Sequence, residues 1–297
     1  MIETRLLHYF LTVAREKSIT GAANVLHITQ PTLSRQMAML EEEVGAALFI
    51  KSSRPLALTN EGILLKRRAE EILELMRKTE DEISLREEQI EGTVSIGCGE
   101  LASVKLLSDI LAGFREKYPR IVFDVFTANA DEIKHRMDNG LTDIGLLLEP
   151  VDMEKYEYIR MPMKERWTAL IPSGVPLAKK EYITPQELAD IPIIMPRRQK
   201  VRDEVASWFG DYYKDLKISA VCNFSTNAAM LVKAGLGYAL TVEGGLPFLE
   251  KSEITMVPLY PELSATSVLA WKREQPFSSA VNRFIQYIKC FLSMYSS

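Results

Sequence analysis

The sequence predicts an α/β protein in three parts: three helices and a hairpin over residues 1–58, one long linker helix over 59–90, and a two-part α/β region over 91–297. Three observations carry this reading. Apolar residues recur at helical spacing through the first helices, a proline-free charged stretch runs from Asn60 to Glu91, and strand-like and helix-like runs alternate from Thr93 onward. At 297 residues, 47% of them hydrophobic, the chain is long enough to build two cored domains.

In the first part, Leu6, Phe10 and Val13 fall at i, i+4 and i+7, which gives a helix from about Glu3 to Arg15 one apolar face. Ser18 or Thr20 caps a short second helix, where Ala22 and Ala23 permit close packing. The third helix opens in HITQPTLSRQMAML, with Thr29 or Gln30 as cap and Pro31 in the first turn, where its missing N–H costs nothing. At about 100° per residue, Leu33, Met37, Leu40 and Val44 share one stripe, while Pro31, Ser34, Arg35, Ala38 and Glu42 point away from it. Gly45 ends that helix, and ALFIKSSRPLALT alternates about a turn at Ser52, Ser53, Arg54 and Pro55, which reads as a hairpin. In the linker helix, Leu65, Ala69, Ile72, Met76, Thr79, Ile83, Arg86 and Ile90 follow an alternating spacing of four and three. That narrow, mostly apolar seam calls for a partner helix.

The α/β region reads as strand TVSIGCG, helix SVKLLSDILAGFREKY, strand IVFDVFT, helix NADEIKHRMDN and strand TDIGLLL. A second set follows: WTALIPS, PIIMP, ISAVCNFS, the helix TNAAMLVKAG and YALTVEG. Strands joined by single helices imply right-handed crossovers and a parallel sheet. The expected division is one subdomain over about 91–163 and 268–297 and another over about 164–267. In such folds ligands sit at the carboxyl ends of strands. That rule gathers Gly99, Glu100, Leu101, Thr127, Asn129, Pro196, Arg197, Phe224, Ser225, Thr226 and Glu243 around one cleft. There Glu100 favours a ligand with an amine or hydroxyls, whereas Arg197 and Arg198 favour an anion.

Several classes are set aside. A formal charge of −4 argues against a protein that coats nucleic acid by bulk electrostatics, though not against a local DNA-reading surface. Glu3, Arg5 and His8 interrupt the N-terminal apolar run, so it is no secretory signal, and no apolar stretch approaches the roughly 20 residues of a membrane helix. The expectation is a cytoplasmic protein with no membrane partner. Cys98, Cys222 and Cys290 are odd in number and far apart, which suits neither a disulfide framework nor a metal site. His8 and His27 belong to the helical first part, His135 lies on a charged helix with no nearby Ser or Cys nucleophile, and no two Cys or His lie at ligand spacing, so no metal, cofactor or catalytic role is expected. Gly97, Gly99 and Ala102 do form G-x-G-x-x-A, a dinucleotide-type fingerprint. The acidic residue that should end the next strand is missing, because IVFDVFT ends on Thr127 with Asp124 inside it. The glycines read better as a loop whose backbone approaches a ligand.

Charge on the third helix is directional. Glu41, Glu42 and Glu43 crowd its C-terminal end, where they would repel phosphates, while Thr29, Gln30, Pro31, Thr32, Ser34 and Arg35 cluster at the other end. Arg35 can pair with guanine and Gln30 with adenine in a major groove, and Lys51 and Arg54 at the hairpin tip can reach the DNA backbone or a narrow minor groove. The run FLTVAREKSITGAANVLHITQPTLSRQMAMLEEEVGAALFIKSSRPLALTNEG resembles the N-terminal domain of the LysR-type transcriptional regulators, with Lys51 where that family more often has arginine. KYP, GLTDIGLLL and LVKAGLGYAL resemble the family's effector-binding domain, with Glu100 near a position where the family often has serine or threonine. The resemblance implies a winged helix-turn-helix, a dimerising linker helix and a periplasmic-binding-protein-like effector domain. Its implied partners are double-stranded DNA at a pseudo-palindromic promoter site, a small-molecule effector, and further copies of the chain as a homodimer or homotetramer, with RNA polymerase a candidate. The competing expectation is a cytoplasmic small-molecule-binding protein or cleft enzyme with an appended helical interaction domain.

Overall fold

A computed structural model describes residues 2–50, 55–84, 90–246 and 252–295. The chain divides into two compact units at Ser84.

The first unit contains α1 (Thr4–Glu16), α2 (Ile19–Val25), α3 (Gln30–Val44), β1 (Phe49–Ile50), β2 (Ala57–Leu58) and α4 (Asn60–Ser84). Its helix ends follow from short polar side chains. Ser18 Oγ accepts the Gly21 N–H at 3.2 Å to cap α2, and Thr29 Oγ1 accepts the Thr32 N–H at 3.4 Å to cap α3. Gly45, at φ +72°, ends α3 in the left-handed region. Leu6, Phe10, Val13, Leu33, Met37 and Leu40 form the core, with Phe10 and Phe49 rings 5.5 Å apart. Thr59 ties the hairpin to α4, donating to Ala47 O at 2.7 Å and accepting the Gly62 N–H at 3.0 Å. Gly62 is pressed so close that a Cβ there would lie 2.2 Å from Leu48 O.

Two expectations change here. Glu41 does more than add charge to the end of α3, because its carboxylate accepts the N–H groups of Leu48 at 2.7 Å and Phe49 at 3.2 Å and so anchors the hairpin. The seam on α4 is also not continuous. Ala69 is buried and Leu65 packs on the core of its own unit, whereas Leu64, Ile72, Leu75 and Met76 stay exposed. Leu64, Ile72 and Leu75 fall within roughly 80° of helical arc. Ile90 lies beyond the helix and packs on the core of the second unit. Lys51, Ser52, Ser53, Arg54 and Arg86 lie outside the described residues.

The second unit contains β3 (Gly92–Cys98), α5 (Val104–Lys117), β4 (Ile121–Thr127), α6 (Ala130–Asp138), β5 (Ile144–Leu148) and β6 (Tyr156–Pro172). It continues through α7 (Pro185–Leu188), β7 (Ile193–Pro196), α8 (Gln199–Phe209), β8 (Ile218–Cys222), α9 (Ser225–Lys233), β9 (Tyr238–Val242), β10 (Ile254–Pro258), β11 (Ser264–Lys272) and α10 (Ser279–Ser293). The strand order is β4-β3-β5-β11-β6-β9-β7-β8, with β10 on β6. The sheet is mixed rather than parallel throughout: β3 and β7 pair in parallel with their neighbours, while β6 and β11 run antiparallel to theirs.

β6 makes two lobes out of one sheet. Tyr156 to Arg166 pair with β11 in lobe I, and Trp167 to Pro172 pair with β9 and β10 in lobe II. β11 starts at the same crossing, with a bulge between Thr266 and Val268. Glu149 joins the β5 end to this crossing through the Thr266 hydroxyl and through Arg160 at 3.2 Å. Burial pushes the Glu149 carboxyl up, but Thr266 and Arg160 outweigh it and hold the carboxyl below its ordinary value.

Two outcomes follow from this packing. Gly62→Ala forces the α4 start away from Leu48 and lowers the stability of the first unit by about 1–3 kcal/mol. Faster amide exchange in α1 and α3, with the second unit unchanged, is the expected reading. In the second unit, Glu149 contributes stability that is complete above the ordinary carboxyl value of 4.5 and is lost as pH falls through its lower folded value. Thr266→Val therefore shrinks the acid-induced loss of stability between neutral pH and that range, measured as melting temperature against pH.

Candidate functional site

Two surfaces carry the residues singled out by the sequence, one on each unit. On the first, burial of Leu33, Met37 and Leu40 leaves Gln30, Pro31, Thr32 and Arg35 exposed and Ser34 half-buried on the free face of α3. Thr29 is exposed as well, but its hydroxyl is engaged at 2.8 Å with that of Thr32, which ties it to the cap. The Arg35 guanidinium makes no hydrogen bond or ion pair among the described residues. A free guanidinium on a convex helix face beside hydroxyls and an amide is suited to bidentate recognition of base edges.

On the second unit, a cavity of about 480 Å³ lies between the lobes, at the carboxyl ends of β3, β7 and β8. Gly99, Glu100, Leu101, Asn129, Pro196, Arg197, Phe224 and Ser225 line it, as the strand-end rule expects. Thr127, Thr226 and Glu243 do not. The Thr127 hydroxyl bonds the Cys98 thiol, which burial pushes up. Thr226 is taken by Glu100, its N–H donating to the carboxylate at 3.1 Å and its hydroxyl donating to the other oxygen. Glu243 is exposed past the end of β9.

The walls are mainly apolar, built from Leu146, Leu148, Trp167, Ile194, Val201 and Leu240 among others. The sequence places most of these in strand-like runs, and a strand pattern does not tell a core wall from a cavity wall. Trp167 was the least legible, because it reaches the cavity only through the lobe crossing of β6. Arg198 departs from the expectation of an anion-binding group. Its guanidinium donates to Asp131 Oδ1 at 3.1 Å, Leu148 O at 3.0 Å and Pro150 O at 2.8 Å, and its side chain is 8% exposed. Arg197 is exposed and has no side-chain partner among the described residues.

The dinucleotide reading fails on geometry. A Cβ at Gly97 would lie 2.6 Å from Ile133 Cγ2, so that glycine serves the packing of α6 on the sheet. The amides preceding α5, which would hold a pyrophosphate, already donate to the buried Glu165 carboxylate: Ala102 N at 2.8 Å and Ser103 N at 3.1 Å. Among the described residues no cluster of three His, Cys, Asp or Glu side chains could hold a metal ion. Among the described residues no helix is long and apolar enough to cross a membrane.

Comparison with known proteins matches residues 4–63 to the bacterial regulatory helix-turn-helix protein, lysR family, and residues 87–293 to the LysR substrate binding domain. The chain is 29% identical to the uncharacterized HTH-type transcriptional regulator YybE of Bacillus subtilis (strain 168), over 97% of this chain and 98% of that one. It is 27% identical to the Hca operon transcriptional activator HcaR of Escherichia coli (strain K12), over 97% of each. Among solved structures, a putative LysR family regulator from Pseudomonas aeruginosa superposes with a TM-score of 0.58 at 25% identity, covering 98% of this chain and 99% of that one. The LysR family regulator CbnR shares the fold with a TM-score of 0.75 at 20% identity, over 98% and 99%. With a helix-turn-helix unit and an α/β cleft unit matched along almost its whole length, the chain belongs to the LysR family and is a transcriptional regulator with a DNA-binding and an effector-binding domain, not an enzyme.

Proposed function

We propose that Thr29, which caps α3, and Gln30, Pro31, Thr32, Ser34 and Arg35 of α3 enter the major groove of a pseudo-palindromic promoter site, with Lys51 and Arg54 on the adjoining backbone. The effector is a small molecule held in the cavity against Gly99, Leu101, Asn129, Pro196, Arg197, Phe224 and Ser225. The regulator acts in the cytoplasm as a homodimer, and pairing of two such dimers gives the tetramer. The observation that carries the DNA reading is Arg35, unpaired and exposed on the face opposite the core stripe. Glu42 and Glu43, exposed near the other end of α3, confine productive contact to its N-terminal half. Affinity then rests on few base contacts, and selectivity on the spacing of two half-sites about 34–36 Å apart.

Dimerisation is assigned to the exposed stripe Leu64, Ile72 and Leu75 on α4, the part of the linker helix that its own unit leaves uncovered. The effector shifts the population of lobe arrangements, and the chain carries that shift through residues 85–91 into α4.

Arg35→Ala should cost roughly 1–3 kcal/mol of binding and relax preference at one base pair of each half-site, read by titration against a set of single-substitution duplexes. Uniform weakening across all duplexes would instead place Arg35 on phosphate. Replacing Ile72 and Leu75 together by glutamate should shift the protein toward monomer in sedimentation velocity while leaving the circular dichroism of the monomer unchanged. An unchanged oligomer would remove the α4 stripe from the interface.

A further inference from the structure

Of the charges that the sequence offers to a ligand in the cleft, Glu100 and Arg198 are spent holding the lobes together. Arg198, at the start of α8 in lobe II, donates three hydrogen bonds to Asp131, Leu148 and Pro150 of lobe I. Glu100, on the lobe I loop after β3, reaches the other way. It accepts the N–H and the hydroxyl of Thr226 in the first turn of α9, in lobe II. The backbone of that loop is docked too. A Cβ on Gly244 would lie 2.8 Å from Ala102 Cα, and one on Gly245 would lie 2.9 Å from Glu100 O, so the loop rests on bare backbone of the opposite lobe. Gly244, at φ +85°, is held in a conformation that favours glycine.

A helix N-terminus with free amides attracts an anion. At α9 the anion is already present and belongs to the chain. We propose that Glu100 determines which ligands the cleft admits: its carboxylate is a built-in anion on the N-terminus of α9 that latches the lobes and bars an effector's anionic group from that helix end. The proposal rests on reading the cavity as the effector site. It follows that Arg197 is the remaining cationic contact and that the apolar walls, Trp167 among them, supply most of the recognition. An effector that presents a hydrogen-bond donor to Glu100 competes with Thr226 and loosens the latch. One that presents a second carboxylate there meets like charge and is rejected.

Amide hydrogen exchange on the full-length protein, with no effector added, tests the latch. In the wild type the Thr226 N–H is protected. Glu100→Ala removes its acceptor and should speed its exchange about tenfold or more, while Glu132→Ala, at an exposed carboxylate on the cavity rim, should leave it unchanged. Acetate at matched ionic strength should then slow exchange of Thr226 in Glu100→Ala and not in the wild type. Equal exchange in the wild type and Glu100→Ala, a uniform increase over the whole second unit, or an acetate effect that is the same in both proteins would each overturn the proposal. A cavity that binds no metabolite would overturn the effector reading and leave this exchange pattern in place.

Discussion

The geometry of the second unit depends on one buried carboxylate. Glu165 sits on β6 at the crossing between lobes with no exposed surface, and accepts from Ala102 N, from the N–H and hydroxyl of Ser103, and from the Ser267 hydroxyl on β11. One side chain therefore joins both strands at the crossing to the loop that leads into α5. A buried charge is costly unless every oxygen is satisfied, and here the donors converge from two elements, the loop before α5 and β11. Because Ala102 also abuts Gly244 of lobe II, the same loop is fixed by the crossing on one side and by the opposite lobe on the other. The position of Glu100, two residues earlier, is a consequence of that fixation.

In the first unit the corresponding constraint is the junction of hairpin and helices. Glu41 gathers the amides of Leu48 and Phe49, Thr59 gathers Ala47 and Gly62, and Gly62 admits the Leu48 carbonyl. These contacts orient α3 on a rigid base, so its free face presents the same few side chains each time it meets a duplex. Rigid presentation matters because the protein carries net negative charge and gains little from bulk attraction to DNA.

How much of this was legible in the sequence follows from which signals are local. Helix caps at Ser18, Thr29 and Gly45, the stripe of Leu33, Met37 and Leu40, and the strand-end loops around Gly99, Pro196 and Phe224 depend on short-range spacing, and the structure places them as that spacing implies. The antiparallel role of β6 and β11 was not legible, because WTALIPS reads as an ordinary strand and nothing in it reveals a 17-residue strand shared by two lobes. The roles of Glu41, Glu100, Glu165 and Arg198 were misread or missed for one reason. Each side chain is engaged by partners outside its own element, 7 residues away for Glu41 with Leu48, 63 for the Glu165 contact with Ala102 and 126 for Glu100 with Thr226. The seam of α4 failed in part because periodicity cannot say which apolar positions a helix spends on its own domain.

The central claim is that α3 reads bases from two copies of the chain held at a fixed spacing. Selection of bound duplexes from a random pool by the full-length protein at moderate salt tests it most directly. The account predicts enrichment of a dyad-symmetric sequence whose half-sites are about one helical turn apart, 10–10.5 base pairs centre to centre. Recovery of a pool with no sequence preference, or of a single half-site without dyad symmetry, would contradict it.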